Sequence, residues 1–185
     1  VLLGLLALGA AAGCRQGPPA PQDGSAPREI TTPTGVGMVL IPAGDFIMGA
    51  DSRAPDERPR RTVHVEAFYI DKFEVTNGRF AKYVEAIQSE PPWGFADKET
   101  PVIHAERPVR WVNWMDAMGY CLWVGKRLST EAEWEKAARG TDERVYPWGN
   151  DPQNDTLLNY DSKVGDTTAA GSYPSGASWV GALDL

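Results

Sequence analysis

The sequence predicts an α+β domain built from short antiparallel strands, a few helices and much irregular loop. Three observations support this fold class. Gly and Pro, which interrupt regular elements, account for 19 and 15 of the 185 residues, so a helical bundle is disfavoured. One segment alternates apolar and polar residues with the period of a strand. Three other segments have the caps and the apolar spacing of helices.

The strands are predicted from the first apolar runs. Residues 38–41 and 45–49 lie on either side of a Pro-Ala-Gly break, a pattern typical of a hairpin. Residues 62–66 alternate with period two, which predicts a half-buried strand. We expect residues 68–70 to continue that strand.

The first helix is predicted after a cap at Thr76 or Asn77. Its apolar residues recur at i, i+3, i+4 and i+7 and so share one face: Phe80, Tyr83, Val84 and Ile87.

Two further helices are predicted from reciprocal caps. Asn113 and Asp116 begin the second helix, which Gly125 ends. Its buried stripe is expected to comprise Trp114, Ala117, Met118, Cys121 and Leu122. Thr130 and Glu133 form a capping box for the third helix, which ends before Gly140.

The chain opens with thirteen uncharged, mostly apolar residues followed by Cys14. As a helix this run would span about 20 Å, less than a bilayer requires, so it predicts an export signal rather than an anchor helix. Small residues directly before a cysteine resemble the lipobox of bacterial lipoproteins, and we expect lipidation at Cys14. An ordinary signal peptide is the alternative. The expected location is extracytoplasmic, with a lipid anchor in a bacterial membrane.

The chain is expected to consist of three parts. Residues 1–14 form the signal segment, residues 15–37 a Pro-rich disordered tether, and residues 38–185 the folded domain. The sequence stops within an apolar stretch at residues 180–185, so we expect an incomplete domain that continues beyond Leu185.

Composition and motifs exclude several classes of function. The formal net charge of −7 argues against a nucleic acid partner, which would require clustered basic residues. The sequence contains neither a Gly-x-Ser-x-Gly elbow nor a phosphate-binding loop. The two cysteines and two histidines are too dispersed for a zinc site, and His64 is expected to be structural.

Cys121 lies on the predicted apolar stripe of the second helix. Burial raises the pKa of a thiol, so we expect Cys121 to be inert. The alternative is a redox thiol, which would need a basic neighbour or a helix N-terminus.

Oxygen-bearing side chains are concentrated after residue 150. Asn159, Asp161 and Asp166 share a loop, and Asp184 follows further on. Such residues can bind calcium, but they are also ordinary turn formers in solvated loops, and spacing alone leaves both interpretations open.

Several strings of residues together resemble the formylglycine-generating enzyme, or sulfatase-modifying factor, family. The most specific is Gly-Lys-Arg-Leu-Ser-Thr-Glu-Ala-Glu-Trp-Glu at residues 125–135. The others are residues 38–49, 68–77, 137–140 and 146–150, and, between them, Pro108-Val109, Val112-Asn113-Trp114, Asp116-Ala117, Tyr120-Cys121 and Trp123. The resemblance implies a fold similar to a C-type lectin domain, in which tryptophans and bound calcium hold irregular chain together.

The resemblance also implies site residues. In the family, an asparagine like Asn159 binds one structural calcium ion, and here Tyr160 and Asp161 fit best as its companions. Asp184 matches a ligand of a second ion. Two cysteines near the C-terminus of the enzymes bind copper and activate dioxygen. This chain has only Cys14 and Cys121, and Cys121 matches a structural position, so no catalytic residue is assigned and copper is expected only in a full-length protein.

Two functions follow as hypotheses. One is an exported, lipid-anchored oxidase that converts a protein cysteine to formylglycine when full length. The other is a non-catalytic, lectin-like binding or structural module of an envelope lipoprotein. The partner is expected to be a protein or peptide substrate or an envelope component. An iron-dependent sulfoxide synthase ranks last, because such enzymes need an additional histidine-bearing bundle domain.

Overall fold

A computed structural model describes the backbone of residues 4–7 and all of residues 27–51, 54–90 and 104–185. Cys14 and residues 15–26 of the predicted tether lie outside this part of the chain. Among the described residues, no helix has the length and apolar character needed to cross a bilayer.

The regular elements of the described residues are short. In chain order they are β1 Gly4–Ala7, β2 Glu29–Thr31, β3 Gly37–Ile41, β4 Gly44–Met48, β5 Arg61–Val65, β6 Phe68–Asp71, α1 Asn77–Ile87, α2 Trp114–Trp123, β7 Arg127–Leu128 and α3 Glu131–Arg139. Residues 140–185 are irregular except for the 3-10 turn Pro174–Gly176. This architecture confirms the predicted α+β class.

The strands form two antiparallel sheets. The larger sheet has the order β2-β3-β6-β1-β7, and the smaller sheet pairs β4 with β5. Leu40 faces Tyr69 across the larger sheet, and Phe46 faces Val63 across the smaller one.

The predicted hairpin of residues 38–41 with 45–49 is wrong. β3 pairs with β2 and β6, whereas β4 pairs with β5, so the chain changes sheets at Pro42. The carbonyl groups of Pro42 and Gly44 accept hydrogen bonds from Lys136 instead of closing a turn between the two strands.

Residues 68–70 do not continue β5 but form β6 in the other sheet. All four residues of β6 are buried. A strand covered on both faces shows no apolar alternation, which explains why this boundary was not visible in the sequence.

The predicted tether extends too far toward the folded part. Residues 29–31 form β2, and Gly37 begins β3. Tyr69 donates a hydrogen bond from its hydroxyl group to the carbonyl of Pro27 at 2.7 Å, and Lys72 pairs with Glu29 at 2.9 Å. Residues 4–7 of the predicted signal segment form β1 between β6 and β7.

The three helices begin where their caps predict. Thr76 accepts a hydrogen bond from the N–H of Arg79 at the start of α1. Both halves of the capping box are present at Asn113 in α2 and at Thr130 in α3. These contacts satisfy backbone N–H groups that have no partner within the helix.

The predicted buried stripe of α2 is only partly correct. Ala117 and Cys121 are buried, together with Tyr120, but Trp114 and Leu122 are exposed. The helix is apolar around most of its circumference, so its apolar spacing could not reveal which side faces the core.

Two main clusters make up the core of the described residues. One lies between the sheets and α3 and includes Ile41, Phe46, Phe68, Ile70 and Ala137. The other lies beneath α1 and α2 and includes Val75, Phe80, Tyr120 and Cys121. The irregular chain after α3 wraps around this framework and carries the predicted ligand residues.

Candidate functional site

Asp184 is a half-buried carboxylate held by main-chain contacts. Its Oδ2 accepts a hydrogen bond from the N–H of Gly171 at 2.6 Å. The preceding residue, Leu183, donates from its N–H to the carbonyl of Lys72 at 2.9 Å. Burial raises the pKa of Asp184, although the bond from Gly171 acts in the opposite direction.

Glu74 is a second carboxylate near Asp184. Burial, reinforced by the negative charge of Asp184, raises the pKa of Glu74 to about 7. Both carboxylates are half-buried, and the charged form of Glu74 is destabilised by its surroundings and by the charge of Asp184. Glu74 was not among the predicted ligands, because no sequence spacing links it to Asp184.

Asn159, the other expected calcium ligand, contacts Asp166. Its Nδ2 donates to the main-chain oxygen of Asp166 at 2.8 Å. Asp161 is exposed and has a positive φ of 53°, as does the neighbouring Ser162 at 56°. The structure therefore brings Asn159 to Asp166, and it turns Asp161 toward solvent.

Tyr160 is surrounded by contacts from Lys163. The carbonyl of Tyr160 accepts from the N–H of Lys163 at 3.2 Å, and the Lys163 ammonium group donates to the Tyr160 hydroxyl at 2.8 Å. The Lys163 ammonium group therefore lies at the Tyr160 hydroxyl group and over its ring.

Asp166 also connects two arginines. Its Oδ2 lies 2.7 Å from Nη1 of Arg107, and its Oδ1 lies 3.2 Å from Nη1 of Arg110. The pKa of Asp166 is lowered, first by the N–H of Thr167 and then by the charges of Arg110 and Arg107. Asp166 is therefore a stable anion between two cations.

These residues border a surface recess of about 220 Å³. We use "the recess" for the space lined by Asn77, His104, Arg107, Arg110, Trp111 and Thr167 around Asp166. Asn77 holds its rim, because its side chain donates to the carbonyl of His104 at 3.0 Å and its N–H donates to the carbonyl of Arg107 at 2.8 Å. The sequence did not single out this group.

A larger cavity of about 590 Å³ lies between α3 and the chain that joins β4 to β5. Two of its charged groups pair with each other: Glu135 forms an ion pair with Arg139 and also accepts a hydrogen bond from the N–H of Gly49 at 2.8 Å.

Cys121 is fully buried, as expected. Burial, followed by the charge of the nearby Asp71, raises the pKa of this thiol to about 11. Its thiolate, the form that attacks substrates and binds metals, is scarce at neutral pH. Cys121 does not suit a copper or redox role.

Two further observations concern histidine and metals. His64 is exposed on β5, with Nδ1 2.7 Å from Oδ1 of Asp45. Across the described ranges, no cluster of three or more His, Cys, Asp or Glu side chains is arranged to hold a metal ion.

Comparison with protein families finds one matching domain model. The sulfatase-modifying factor enzyme 1-like domain matches residues 24–184. The match begins before residue 38, which agrees with the position of β2 in the sheet.

Two characterised relatives have similar sequences. Formylglycine-generating enzyme from Thermomonospora curvata is 36% identical over 172 residues, covering 68% of this chain and 56% of the relative. The inactive C-alpha-formylglycine-generating enzyme 2 from Mus musculus is 37% identical over 158 residues, covering 61% of this chain and 51% of the relative. This chain thus spans about half the length of these relatives.

One solved structure resembles the fold. It is that of PvdO from Pseudomonas aeruginosa, with a TM-score of 0.63 and 24% sequence identity. The alignment covers 84% of this chain and 69% of that one. At this identity the likeness supports the fold alone.

Proposed function

Because the chain belongs to the sulfatase-modifying factor enzyme 1-like domain family, we propose that it forms the scaffold and partner-binding part of an exported, lipid-anchored protein of the formylglycine-generating type. The partner is a polypeptide. In the complete protein, paired cysteines beyond the two in this chain would oxidise a cysteine of that partner to formylglycine.

One observation carries this proposal: the most family-specific string, residues 125–135, makes buried contacts within the described fold. Within it, Lys126 forms a buried ion pair with Asp71 at the end of β6. Arg127 forms two hydrogen bonds with Glu133, which caps α3. The string that identifies the family therefore contributes a buried tertiary contact to the fold.

The proposed reaction breaks the carbon–sulfur bond of the partner's cysteine. Cβ is oxidised to an aldehyde and sulfur leaves as sulfide. Dioxygen is the oxidant and is reduced to water, with two further electrons supplied by an external thiol. Copper bound to paired cysteines would supply the activation of dioxygen. The residues of this chain would bind and orient the polypeptide, since Cys121 is buried and Cys14 is assigned to the anchor.

In this proposal, bound calcium stabilises the fold. Asp184 and Glu74 are the residues that best fit one ion, and Asn159 is a candidate ligand for another. A cation between Asp184 and Glu74 would neutralise two carboxylates that burial otherwise disfavours. It would also fix the end of the described chain to the segment that follows β6.

The test uses the full-length product of the gene, purified with its native anchor. It is incubated with a cysteine-containing peptide from a sulfatase, copper, dioxygen and a thiol reductant, and the aldehyde product is detected by mass spectrometry. We expect conversion to require copper. A Cys121→Ala variant should retain conversion. Absence of conversion in a folded, copper-loaded protein would contradict the oxidase proposal.

The second candidate function is a non-catalytic binding module. It is favoured by the recess and by the exposed tryptophan Trp114 of α2. The two candidates differ in one result: a binding module retains its polypeptide partner but converts no cysteine, with or without copper.

Lipid anchoring is tested separately. Mass spectrometry of membrane-extracted protein should show acyl chains on Cys14. A Cys14→Ala variant should move from the membrane fraction to the soluble fraction. An unmodified Cys14 in mature, membrane-associated protein would contradict this part of the proposal.

A further inference from the structure

We propose that the recess binds a carboxylate group carried by a polypeptide, and that an apolar side chain next to this carboxylate packs on Trp111 and on the exposed face of α2. This inference deepens the proposed function and rests on its claim that the partner is a polypeptide.

The net charge of the side chains that line the recess favours binding of an anion. Its charged side chains are two arginines and one aspartate, which sum to one positive charge. Of the guanidinium nitrogens, Nη1 of Arg107 and Nη1 of Arg110 are the ones that contact Asp166, whereas each guanidinium group carries five N–H donors. Donors therefore remain on both arginines for a second carboxylate, the group that their planar geometry suits best.

The charge of the whole chain limits which anion can bind. The formal net charge is −7, so a polyanion would be repelled outside this small positive place. A single carboxylate among neutral neighbours avoids that repulsion. The recess therefore favours an acidic side chain or a C-terminal carboxylate over a nucleic acid.

The size of the recess favours part of a larger ligand. Pockets that enclose a whole drug-sized molecule have volumes of roughly 300–1,000 Å³, and this recess has about 220 Å³. One acidic side chain and some water would fill it. The remainder of the ligand would then lie outside, along the neighbouring surface.

The neighbouring surface is apolar. α2 begins three residues after Trp111, and its outward side carries large side chains that are exposed by 62–68%. With Trp111 we call these the apolar face: Trp111, Trp114, Met115 and Leu122. Contiguous apolar residues on a surface mark interaction sites, and tryptophan and arginine are the residues most often found at the energetic centres of such sites.

The backbone holds Trp111 in this exposed place. Trp111 has a φ of +63°, a conformation that is costly for a bulky residue. The loop that carries it is tied to α1 through Asn77, and Ala170 donates from its N–H to the carbonyl of Glu106 at 2.9 Å. The backbone of this loop is thus fixed by contacts with α1 and with Ala170, which reduces the entropic cost of binding to it.

The first experiment identifies the preferred peptide. A random peptide library is panned against the full-length protein, and we expect enriched peptides to carry Asp, Glu or a C-terminal carboxylate next to an aromatic or long aliphatic residue. A synthetic enriched peptide is then compared by calorimetry with its amide analogue, in which the carboxylate is replaced. We expect the amide to bind at least about tenfold more weakly.

The second experiment assigns the binding to this surface. Arg110→Gln and Trp114→Ala should each weaken binding of the carboxylate peptide by about tenfold or more. The matched controls are Arg60→Gln, an exposed arginine paired with Glu143, and Ile87→Ala, an exposed apolar residue of α1. Both controls should bind normally, and all four variants should show thermal unfolding transitions as cooperative as that of the parent protein.

Several results would overturn the inference. They are the failure of carboxylate peptides to be enriched, equal binding of the amide analogue, and unchanged binding by the folded Arg110→Gln variant. A dimer in sedimentation equilibrium that Trp114→Ala dissociates would identify a second copy as the occupant instead. Binding of phosphatidylglycerol vesicles, lost in Trp114→Ala, would identify a membrane.

The result of the peptide-binding experiments can be distinguished from the result of the oxidase test. A protein that converts cysteine peptides but shows no carboxylate preference overturns only the role of the recess. A protein that binds carboxylate peptides and converts no cysteine overturns only the oxidation and leaves the recess assigned.

Discussion

Lys136 donates a hydrogen bond from Nζ to the carbonyl of Pro42 at 2.8 Å, at the point where the chain passes from one sheet to the other. The same ammonium group lies 2.8 Å from the carbonyl of Gly44 and 3.5 Å from that of Val65. The three donors of one buried lysine thus meet three carbonyl groups. α3 thereby fixes both crossings between the sheets, the one after β3 and the one after β5.

The Lys136 side chain should contribute strongly to stability. Replacing it with Met keeps most of its volume but leaves the carbonyl groups of Pro42 and Gly44 without their partner. Each unsatisfied buried carbonyl costs about 1–3 kcal/mol, partly offset because a buried charge is removed. We expect Lys136→Met to lower the free energy of unfolding by about 2–4 kcal/mol in urea titrations.

A suitable control is Lys82→Met on the exposed side of α1. It makes the same chemical change at a solvated position and should alter stability by less than about 0.5 kcal/mol. Equal effects of the two substitutions would contradict the role assigned to Lys136.

Glu133 should contribute stability that is lost in acid. Burial alone would raise its pKa, but the hydrogen bonds from Arg127 and Thr130 outweigh burial and lower the pKa. A carboxylate with a lowered folded-state pKa stabilises the fold above its unfolded pKa of about 4.5, and this stabilisation disappears as the pH falls through the folded value. We therefore expect Glu133→Gln to be less stable than the parent protein at pH 7, with the difference shrinking below about pH 4.

The measurement is urea unfolding at a series of pH values. Glu131→Gln, in the same first turn but exposed, provides the control and should show little pH-dependent difference from the parent protein. A Glu133→Gln penalty that is constant from acid to neutral pH would show that charge is not its origin.

The helices could be predicted and the sheet pairing could not, for a physical reason. The cap of α3 is formed by Thr130 and Glu133, three residues apart, so the sequence contains the whole interaction. The crossing at Pro42 depends on Lys136, which is 94 residues away. The spacing of nearby residues in the sequence predicts a local contact such as the helix cap. It carries no information about a long-range contact such as that between Lys136 and Pro42.

The candidate site likewise contains some residues that the sequence could predict and others that only the fold brings together. Asp184 could be proposed because it matches a ligand position of the family, whereas the interaction of Glu74 with Asp184 arises only in the fold. Trp114 was assigned to the core because helical spacing groups apolar residues without showing which group faces inward. Its exposure became visible only when Ala117 and Cys121 were found to fill the buried side.

Calcium should raise the melting temperature of the protein. An ion bound only by the folded state stabilises it as concentration rises, by about 2.7 kcal/mol at one hundred times the dissociation constant. Asp184→Asn should remove most of this shift if Asp184 and Glu74 hold the ion. The measurement is thermal unfolding in chelator, in magnesium and in increasing calcium.

Asp151→Asn serves as the control, because Asp151 is an exposed carboxylate outside the candidate site. It should retain the full calcium response. A melting temperature that is flat across calcium concentrations would remove the calcium proposal. An equal calcium response in Asp184→Asn and the parent protein would show that Asp184 does not bind the ion.

Gly140 should tolerate substitution less well than another glycine with a similar backbone angle. Gly140 has a φ of +67°, and a Cβ there would lie 3.1 Å from Cδ1 of Trp179, whose indole N–H donates to the carbonyl of Lys136 at 3.0 Å. Gly165 has a φ of +77°, but a Cβ there would meet no atom within 4 Å. Gly140 has a ψ of −145°, which together with its positive φ lies near a region almost restricted to glycine, so Gly140→Ala bears a backbone cost and must also displace the indole ring. We expect Gly140→Ala to lose at least about 1 kcal/mol more than Gly165→Ala in urea unfolding, with a change in Trp fluorescence. Equal losses would mean that the ring moves aside freely, and that its contact with α3 does not constrain the end of the helix.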